Sequence, residues 1–447
     1  MTTTDDGGRS IEEILGEWRT RGIRFVRFEL PDMHGGSRSK LVPLEHAFGY
    51  ARDGLNMYGG TGVLDTRSDV VPATLYNEEV GYGDQRLKPD PATAAIVPWA
   101  EATGRFICDS WWDDGRPLAA LPRHVFHRVL DRCRAMGYEP VMGFEPEFYL
   151  LREDTRELLF EGYHIFNTTR NTYTPFIQLL LDQMRDFHID IITANCEYAG
   201  SQWEINFAPG AGMAGPDQAF TFKNGVKELA HINGLLATFM SKPFSDSAGS
   251  GCHTHVSLQD PNSGHNAFGD EDDPNGMSQA CKQFIAGQLA HARSIYALLA
   301  PTLNCLKRRR THTFSPTNIS WGLEDRSALI RVKGGTVASK HVENRAPTGL
   351  ANPYLAGAAV LGAGLLGIEG GLDLEAPAGT PAEEDESKEP LPTSVQESLD
   401  SLESDKRMVD LLGEEFVGAY SVMRRYELQR FADHVTDWET NEYMEMY

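Results

Sequence analysis

GFEPEFYL, residues 143–150, is the stretch from which the rest of the chain can be read. It alternates as a strand, so Phe144 and Phe148 take one face while Glu145 and Glu147 share the other. Two neighbouring carboxylates in an otherwise apolar strand repel each other and lose hydration, and a divalent cation between them is the usual remedy. A strand of this kind belongs to a sheet with one face on a core and the other on a site.

Three later stretches extend that face. In NCEYAGSQWEINF, residues 195–207, Glu197 and Glu204 stand an odd interval apart, and the AGS turn between them lets both carboxylates face one side. Trp203, Ile205 and Phe207 then alternate inward while Glu204 and Asn206 share the wet face. In SGCHTHVSL, residues 250–258, His253, His255 and Ser257 fall on one face, and KHVENRAP, residues 340–347, sets Glu343 two residues before Arg345. A lone strand glutamate is usually a solvated face residue, and a lone H-x-H is usually structural. Five glutamates and a histidine in successive apolar strands point instead to a metal centre. Oxygen-rich ligation favours magnesium or manganese over structural zinc, and these metals commonly bridge nucleotide phosphates.

Basic residues follow. The run KRRR, residues 307–310, reads by itself as a solvated charged turn. Arg331 lies opposite Ile330 and Val332 in a short strand, with Arg326 at the turn leading into it. Beside an acidic metal cluster, these guanidiniums suit bidentate contacts to phosphate and carboxylate. No G-x-x-x-x-G-K-[ST] loop and no strand-borne G-x-G-x-x-G is present, so any nucleotide is held outside a P-loop or Rossmann site.

Outward from the acidic strands, the pattern is mixed. Helical spacing is expected over 11–20, from His124 onward, and around 172–187, 216–240 and 277–300. A strand is expected over 23–30, with short strands and turns continuing to about Asp109, and further strands in VMGFEPEFYLL, DIITANCEY, QWEINF, GCHTHVSL, NISWG and ALIRV. The apolar stretch Leu355–Ile368 is shorter than a bilayer span and reads as a buried helix, capped by Asn352 and opened by Pro353. Residues 376–394, acidic and proline-containing, read as a surface loop. The class is α+β with an antiparallel sheet, and a boundary near residue 117 divides the chain into 1–117 and 118–447.

Composition narrows the function. The 447 residues carry 41 basic and 64 acidic side chains, a formal net charge of −23, which argues against nucleic acid or an anionic membrane as partner. Six scattered cysteines without a C-x-x-C pair, and an N-terminus with no secretory pattern, lead to the expectation of a cytoplasmic enzyme with reduced thiols.

The order of motifs, GFEPEFYL, CEYAGSQWE, AGSGCHTHVSL, NISWGLEDRSALIRV and HVENRAPTGLANPYLAGAAVLGAGLLGI, resembles the glutamine synthetase family over nearly the whole chain. The resemblance implies an N-terminal β-grasp domain and a catalytic domain whose curved antiparallel sheet forms a half-barrel. It implies stacked hexameric rings, a homododecamer, with active sites between neighbouring subunits. It places one metal ion on Glu147, Glu197 and Glu204 and another on Glu145, His253 and Glu343. It sets His255, Ser257 and Arg331 near ATP, and Glu147, Gly249, His253, Arg308 and Arg345 around glutamate. Arg326, with Arg308, serves the transferring phosphoryl group. The implied chemistry is ATP-dependent activation of the glutamate side chain as γ-glutamyl phosphate, with Mg2+ or Mn2+, followed by attack of an amine.

The departures from the family pattern bear on the amine. The N-terminal acidic residue that helps bind ammonium corresponds to Gly59 in MYGGTG, and the flap glutamate that takes a proton from ammonium corresponds to Phe314 in THTFSP. Ala248 stands where an asparagine usually precedes the GSG of the glutamate site. Loss of two carboxylates and gain of a phenyl ring weaken attraction for a small cation and make the pocket apolar. The expectation is a γ-glutamylamide synthetase of the glutamate–amine ligase branch, serving amine catabolism and favouring an aromatic or apolar, aniline-like amine, with Gly59, Tyr58, His312 and Phe314 lining the amine pocket. An arylamine arrives neutral, whereas an alkylamine titrates near 10.4 and needs a base, for which His312, Tyr58 and Asp32 are candidates. The rivals are an alkylamine ligase, an ordinary glutamine synthetase, a ring-forming relative without turnover, and a metal-dependent hydrolase using His253 and His255.

Overall fold

The chain enters its first sheet through a helix, Ile11–Thr20, opened by a reciprocal cap between Ser10 and Glu13. The computed structural model describes residues 8–162, 165–171 and 176–447. The strands of the first sheet are β1 (Phe25–Pro31), β2 (Ser37–Pro43), β3 (Leu55–Tyr58), β4 (Asp84–Pro89), β5 (Ala95–Ile96) and β6 (Thr103–Trp111). They run in the order β2-β1-β6-β4-β3, with β5 on β6, and only β1 and β6 pair in parallel. Val26, Phe28 and Leu30 alternate into the core as expected. The helix Leu44–Asp53 is a correction to the strands and turns expected there. Only Leu44, Ala47 and Ala51 are buried from it, too few apolar residues to show helical periodicity in the sequence.

The second sheet comprises β7 (Glu139–Arg152), β8 (Ile191–Cys196), β9 (Gln202–Phe207), β10 (Gly210–Ala211), β11 (Leu235–Thr238), β12 (Cys252–Gln259), β13 (Trp321–Leu323), β14 (Ile330–Val332) and β15 (Val342–Asn344). Its order is β13-β14-β15-β12-β7-β9-β8, with β10 and β11 also on β7, and it curls into a half-barrel. The long strand β7 changes partners along its length. It pairs with β12 from Glu139 to Pro146, with β9 from Glu147 to Tyr149, and with β11 from Tyr149 to Arg152. The changeover falls between Glu145 and Glu147, where the metal site is expected.

The helix Pro353–Gly370 backs this sheet. Asn352 accepts from the amides of Tyr354 and Leu355, at 2.9 and 3.3 Å, and Pro353 occupies the first turn. Its apolar residues are buried all round against the helices Pro122–Ala135 and Gln279–Ala290, as a core helix requires. Arg123, 2 % exposed, joins Asp90 and Asp109 near the first sheet to Asp217 on the helix Ala214–Ile232.

Other boundaries move. The helix expected from His124 begins at Pro122, because proline suits a first helical turn. The one expected over 216–240 ends at Ile232, after which Asn233 and Gly234 turn the chain and Leu235–Thr238 becomes β11. The segment LLAT is apolar enough for either state, and the unpaired edge of β7 decides it. The stretch 277–300 is two helices, Gln279–Ala290 and Ala292–Leu299, broken at His291. Around 172–187 the helix runs Phe176–Asp186, and 172–175 lie outside the described residues. NISWG and ALIRV shorten to three-residue strands, β13 and β14.

Candidate active site

Strand register assembles the acidic face. His253 on β12 stands opposite Glu145 on β7, His255 stands opposite Glu343 on β15, and Glu147 stands opposite Glu204 on β9. Residues paired across strands share a face, so these six side chains project together. Glu197 follows β8 in the turn back to β9, where its amide donates to the Gln202 carbonyl at 2.9 Å. Beneath them Phe144, Phe148, Trp203 and Ile205 are buried.

The face is electrostatically divided. His255 Nε2 lies 3.1 Å from Glu145, and His253 Nδ1 lies 3.6 Å from both Glu145 and Glu343. Arg331 reaches Glu343 at 3.1 Å and Arg345 pairs with its other oxygen. Burial alone raises a carboxyl, but His253, His255 and Arg345 outweigh it at Glu343 and hold that group at about 2. The two histidines likewise overcome burial to hold Glu145 well below the usual range. Across the face the balance reverses. Burial, reinforced by Glu147, pushes Glu197 up to about 8, and burial with Glu147, Glu145 and Glu197 pushes Glu204 up to about 9.

Glu145, Glu204 and His253 bring one ligand atom each within 4.8 Å of one another, and so do Glu145, His255 and Glu343. Glu145 therefore belongs to both sets. The expected pairing differs, since Glu147, Glu197 and Glu204 form no third set this tight among the described residues. They meet instead as mutually repelling charges. The donors fit a hard divalent cation: oxygen-rich, with one imidazole per set, and with crowded carboxyls at Glu197 and Glu204 that a cation would let ionise. Glu145, Glu204, His253, His255 and Glu343 would hold such ions, with Glu147 and Glu197 adjoining. The ions would supply charge neutralisation for phosphoryl oxygens.

Arg308 overturns the reading of KRRR as a solvated turn. It is buried, donates to His253 Nε2 at 3.3 Å and to the Arg345 carbonyl at 3.4 Å, while Lys307 and Arg310 stay exposed. A Cβ on Gly249 would meet Arg308 Cγ at 2.6 Å and the Ser241 carbonyl at 2.9 Å, so glycine there admits the guanidinium to the cleft. Gln202 fixes the same corner, its amide nitrogen reaching Glu147 at 3.3 Å and the Gly249 carbonyl at 3.0 Å. Its alternation with Glu204 in QWEINF was the signal for it. Arg326 is exposed at its turn; its carbonyl accepts from Arg345 Nε at 2.9 Å and its charge acts on Glu197.

On the side of Glu145 and His255 opens a cavity of about 460 Å³, also lined by Ser257, Ile192, Lys333 and His341. Its size and its mixed lining suit a nucleotide. Arg331 does not line it and is held by Glu324 and Glu343 instead. Lys333 and His341 carried no spacing signal, because loops bring them to the cavity.

The residues expected at the amine pocket divide into two pairs. His312 and Phe314 sit in the turn after KRRR, both with left-handed backbone, φ +60° and +56°. Phe314 stacks on Tyr198, next to Glu197, at 6.0 Å, and its carbonyl accepts from Arg345 at 3.4 Å. His312 Nδ1 lies 3.5 Å from Glu383, which also accepts from the His312 amide at 2.9 Å. Tyr58 ends β3 of the first sheet and Gly59 opens the 3-10 turn that follows it, and among the described residues no hydrogen bond, ion pair or ring contact joins them to His312 or Phe314. The Tyr58 hydroxyl bonds to Asn77. A Cβ at Gly59 would meet Trp112 and the Gly83 carbonyl at 2.9 Å, so a carboxylate does not fit there. Asp32 is a turn residue, accepting from the amides of His34 and Gly36 and from Arg38. Ala248 is held through its carbonyl by Tyr149 at 2.7 Å.

Residues 119–443 match the family described as glutamine synthetase, catalytic domain. A glutamine synthetase of Halobacterium salinarum is 31% identical over the whole of both chains. A γ-glutamylethanolamide synthetase of Streptomyces coelicolor is 32% identical over 96% of this chain and 94% of its own. A glutamate–isopropylamine ligase of a Pseudomonas species is 30% identical over 99% and 100%. Among solved structures, GmaS in complex with ADP superposes with a TM-score of 0.86 at 28% identity, covering 97% of this chain and 99% of the other. The family match and these relatives make the chain an ATP-dependent carbon–nitrogen ligase. The chain belongs to the glutamine synthetase family.

Proposed function

We propose that this enzyme joins the side-chain carboxylate of L-glutamate to an organic amine, giving a γ-glutamylamide, ADP and phosphate. Phe314 carries this reading: a phenyl ring stacked on Tyr198 occupies the rim where the resemblance calls for the ammonium-directed glutamate. The packing around Gly59 supports it, as do relatives named for ethanolamide and isopropylamine. An oxygen of the glutamate side chain attacks the γ-phosphorus of ATP, and the bond to ADP breaks. The amine nitrogen then attacks the acyl carbon, the bond to phosphate breaks, and the nitrogen loses its proton. Arg308 and Arg345 hold the amino acid with Glu147, Gly249 and His253. Arg326 stabilises the phosphoryl oxygens, and His255 and Ser257 face ATP. The carboxylates and histidines of the acidic face would hold Mg2+ or Mn2+, which would neutralise phosphoryl oxygens.

An aniline-like amine is favoured, because it arrives neutral and needs no base to free its lone pair before attack; the proton lost afterwards can pass to the departing phosphate. A second reading, an alkylamine, is favoured by the His312–Glu383 pair, which offers a proton acceptor at the same rim. Tyr58 and Gly59 enter the pocket from a neighbouring copy in a ring of subunits, with 1–117 and 118–447 as the two units of each chain. ADP release measured with glutamate and a panel of ammonium, methylamine, isopropylamine, ethanolamine, polyamines and aniline tests the assignment. Organic amines are expected to exceed ammonium, and ammonium as the best substrate overturns it.

A further inference from the structure

Tyr198 is the residue of the rim that the sequence did not single out. It sits directly after Glu197, to whose carboxylate its own amide donates, and its ring stacks on Phe314. Its plane lies 29° from that of Phe314, with centroids 6.0 Å apart, and the two rings stay 40% and 44% exposed. Phe314 is a bulky residue held at φ +56°, a conformation such residues seldom take, and its carbonyl is fixed by Arg345. The chain thus maintains an uncommon backbone to keep an aromatic shelf, open on one side, beside the groups proposed to hold and activate the carboxylate.

We propose that Tyr198 is a specificity-determining residue: with Phe314 it forms the shelf on which the organic group of the amine rests while its nitrogen reaches the activated carboxyl. This rests on the function proposed above and assigns its substrate class, amines bearing an apolar group large enough to cover both rings. The occupant is argued from continuity, since Tyr198 adjoins Glu197 and Phe314 is tied to Arg345.

The test is steady-state kinetics of the full-length enzyme with aniline and with methylamine, for wild type, Tyr198→Ala and Tyr198→Phe, with assembly mass followed by light scattering. Tyr198→Ala is expected to raise KM for aniline about 5- to 10-fold, the scale of one lost aromatic contact, while kcat changes far less. Methylamine, too small to span the shelf, is expected to show a much smaller shift, and Tyr198→Phe to restore the aniline KM. Phe314→Leu provides an independent second variant and is expected to follow Tyr198→Ala. An equal rise in KM for both amines overturns the inference, as does a changed assembly mass, which would mean that a neighbouring copy covers the rings. Wild-type enzyme that turns over organic amines, with aniline KM unmoved in Tyr198→Ala and Phe314→Leu, sinks the inference alone. Wild-type enzyme that works only with ammonium sinks the proposed function with it.

Discussion

The acidic face and the aromatic rim lie side by side yet are built differently. Glu145, Glu147, Glu204, His253, His255 and Glu343 stand on paired strands, and register fixes each against its neighbour. Tyr198, His312, Phe314 and Glu383 stand on turns outside any strand ladder, held by ring contacts and isolated hydrogen bonds, two of them at positive φ. A strand cannot move one side chain without shifting its ladder, whereas a loop can exchange one. The division suits the proposed chemistry, in which charge neutralisation around phosphate needs fixed positions while the choice of amine needs only a changed rim.

The largest expected effect is on the strands. Glu343→Ala leaves Arg331 and Arg345 buried without their shared carboxylate. It is expected to lower stability by about 3–5 kcal/mol in denaturant titration and ADP release by about 10³-fold. Near-normal turnover would erase the contrast between face and rim. The next effect is one of pH. Glu197 and Glu204 sit at about 8 and 9 in the folded chain against an ordinary value of 4.5, so the folded state keeps protons that the unfolded state has released. Their contribution is whole below about pH 4.5 and declines as pH rises toward those values. Glu145 and Glu343, shifted the other way, are already ionised above pH 5. In EDTA the melting temperature is therefore expected to fall from pH 5 to pH 8, and Mg2+ to flatten that fall by replacing the protons. A melting temperature that is flat in EDTA contradicts the division of charge.

At the rim the effects are smaller and depend on the substrate. Glu383→Gln loosens the hold on His312, whose ring is exposed, so stability is expected to change by about 1 kcal/mol or less. Turnover of methylamine is expected to fall several-fold and that of aniline to stay level, since only the first arrives charged. Equal losses would mean that Glu383 merely shapes the turn. The smallest effect sharpens the comparison within one run of sequence. Arg310→Ala, at an exposed position, is expected to stay within about 0.5 kcal/mol of wild type by thermal melting. Arg308→Ala, two residues earlier and buried on His253, is expected to lose activity.

Much of the face was legible from spacing. Period-two alternation placed Glu145 with Glu147 and His253 with His255, and the Asn352-Pro353 cap opened the core helix as read. Taken by itself KRRR reads as a solvated turn, because a charge run has no periodicity to reveal which guanidinium turns inward; only the resemblance singled out Arg308. The LLAT segment was misread because an apolar tetrapeptide fits either a helix or a strand until an open edge claims it.

By itself the sequence determined which residues share a strand face and where the core helix starts. Those properties depend on local periodicity and on residue identity, which the chain carries along its length. Only the tertiary structure decided that Arg308 is buried, that Tyr198 meets Phe314, that Glu383 reaches His312, and that Glu145 is common to both ligand sets. Each of these joins segments distant in sequence through loop paths and strand curvature, which no local pattern encodes.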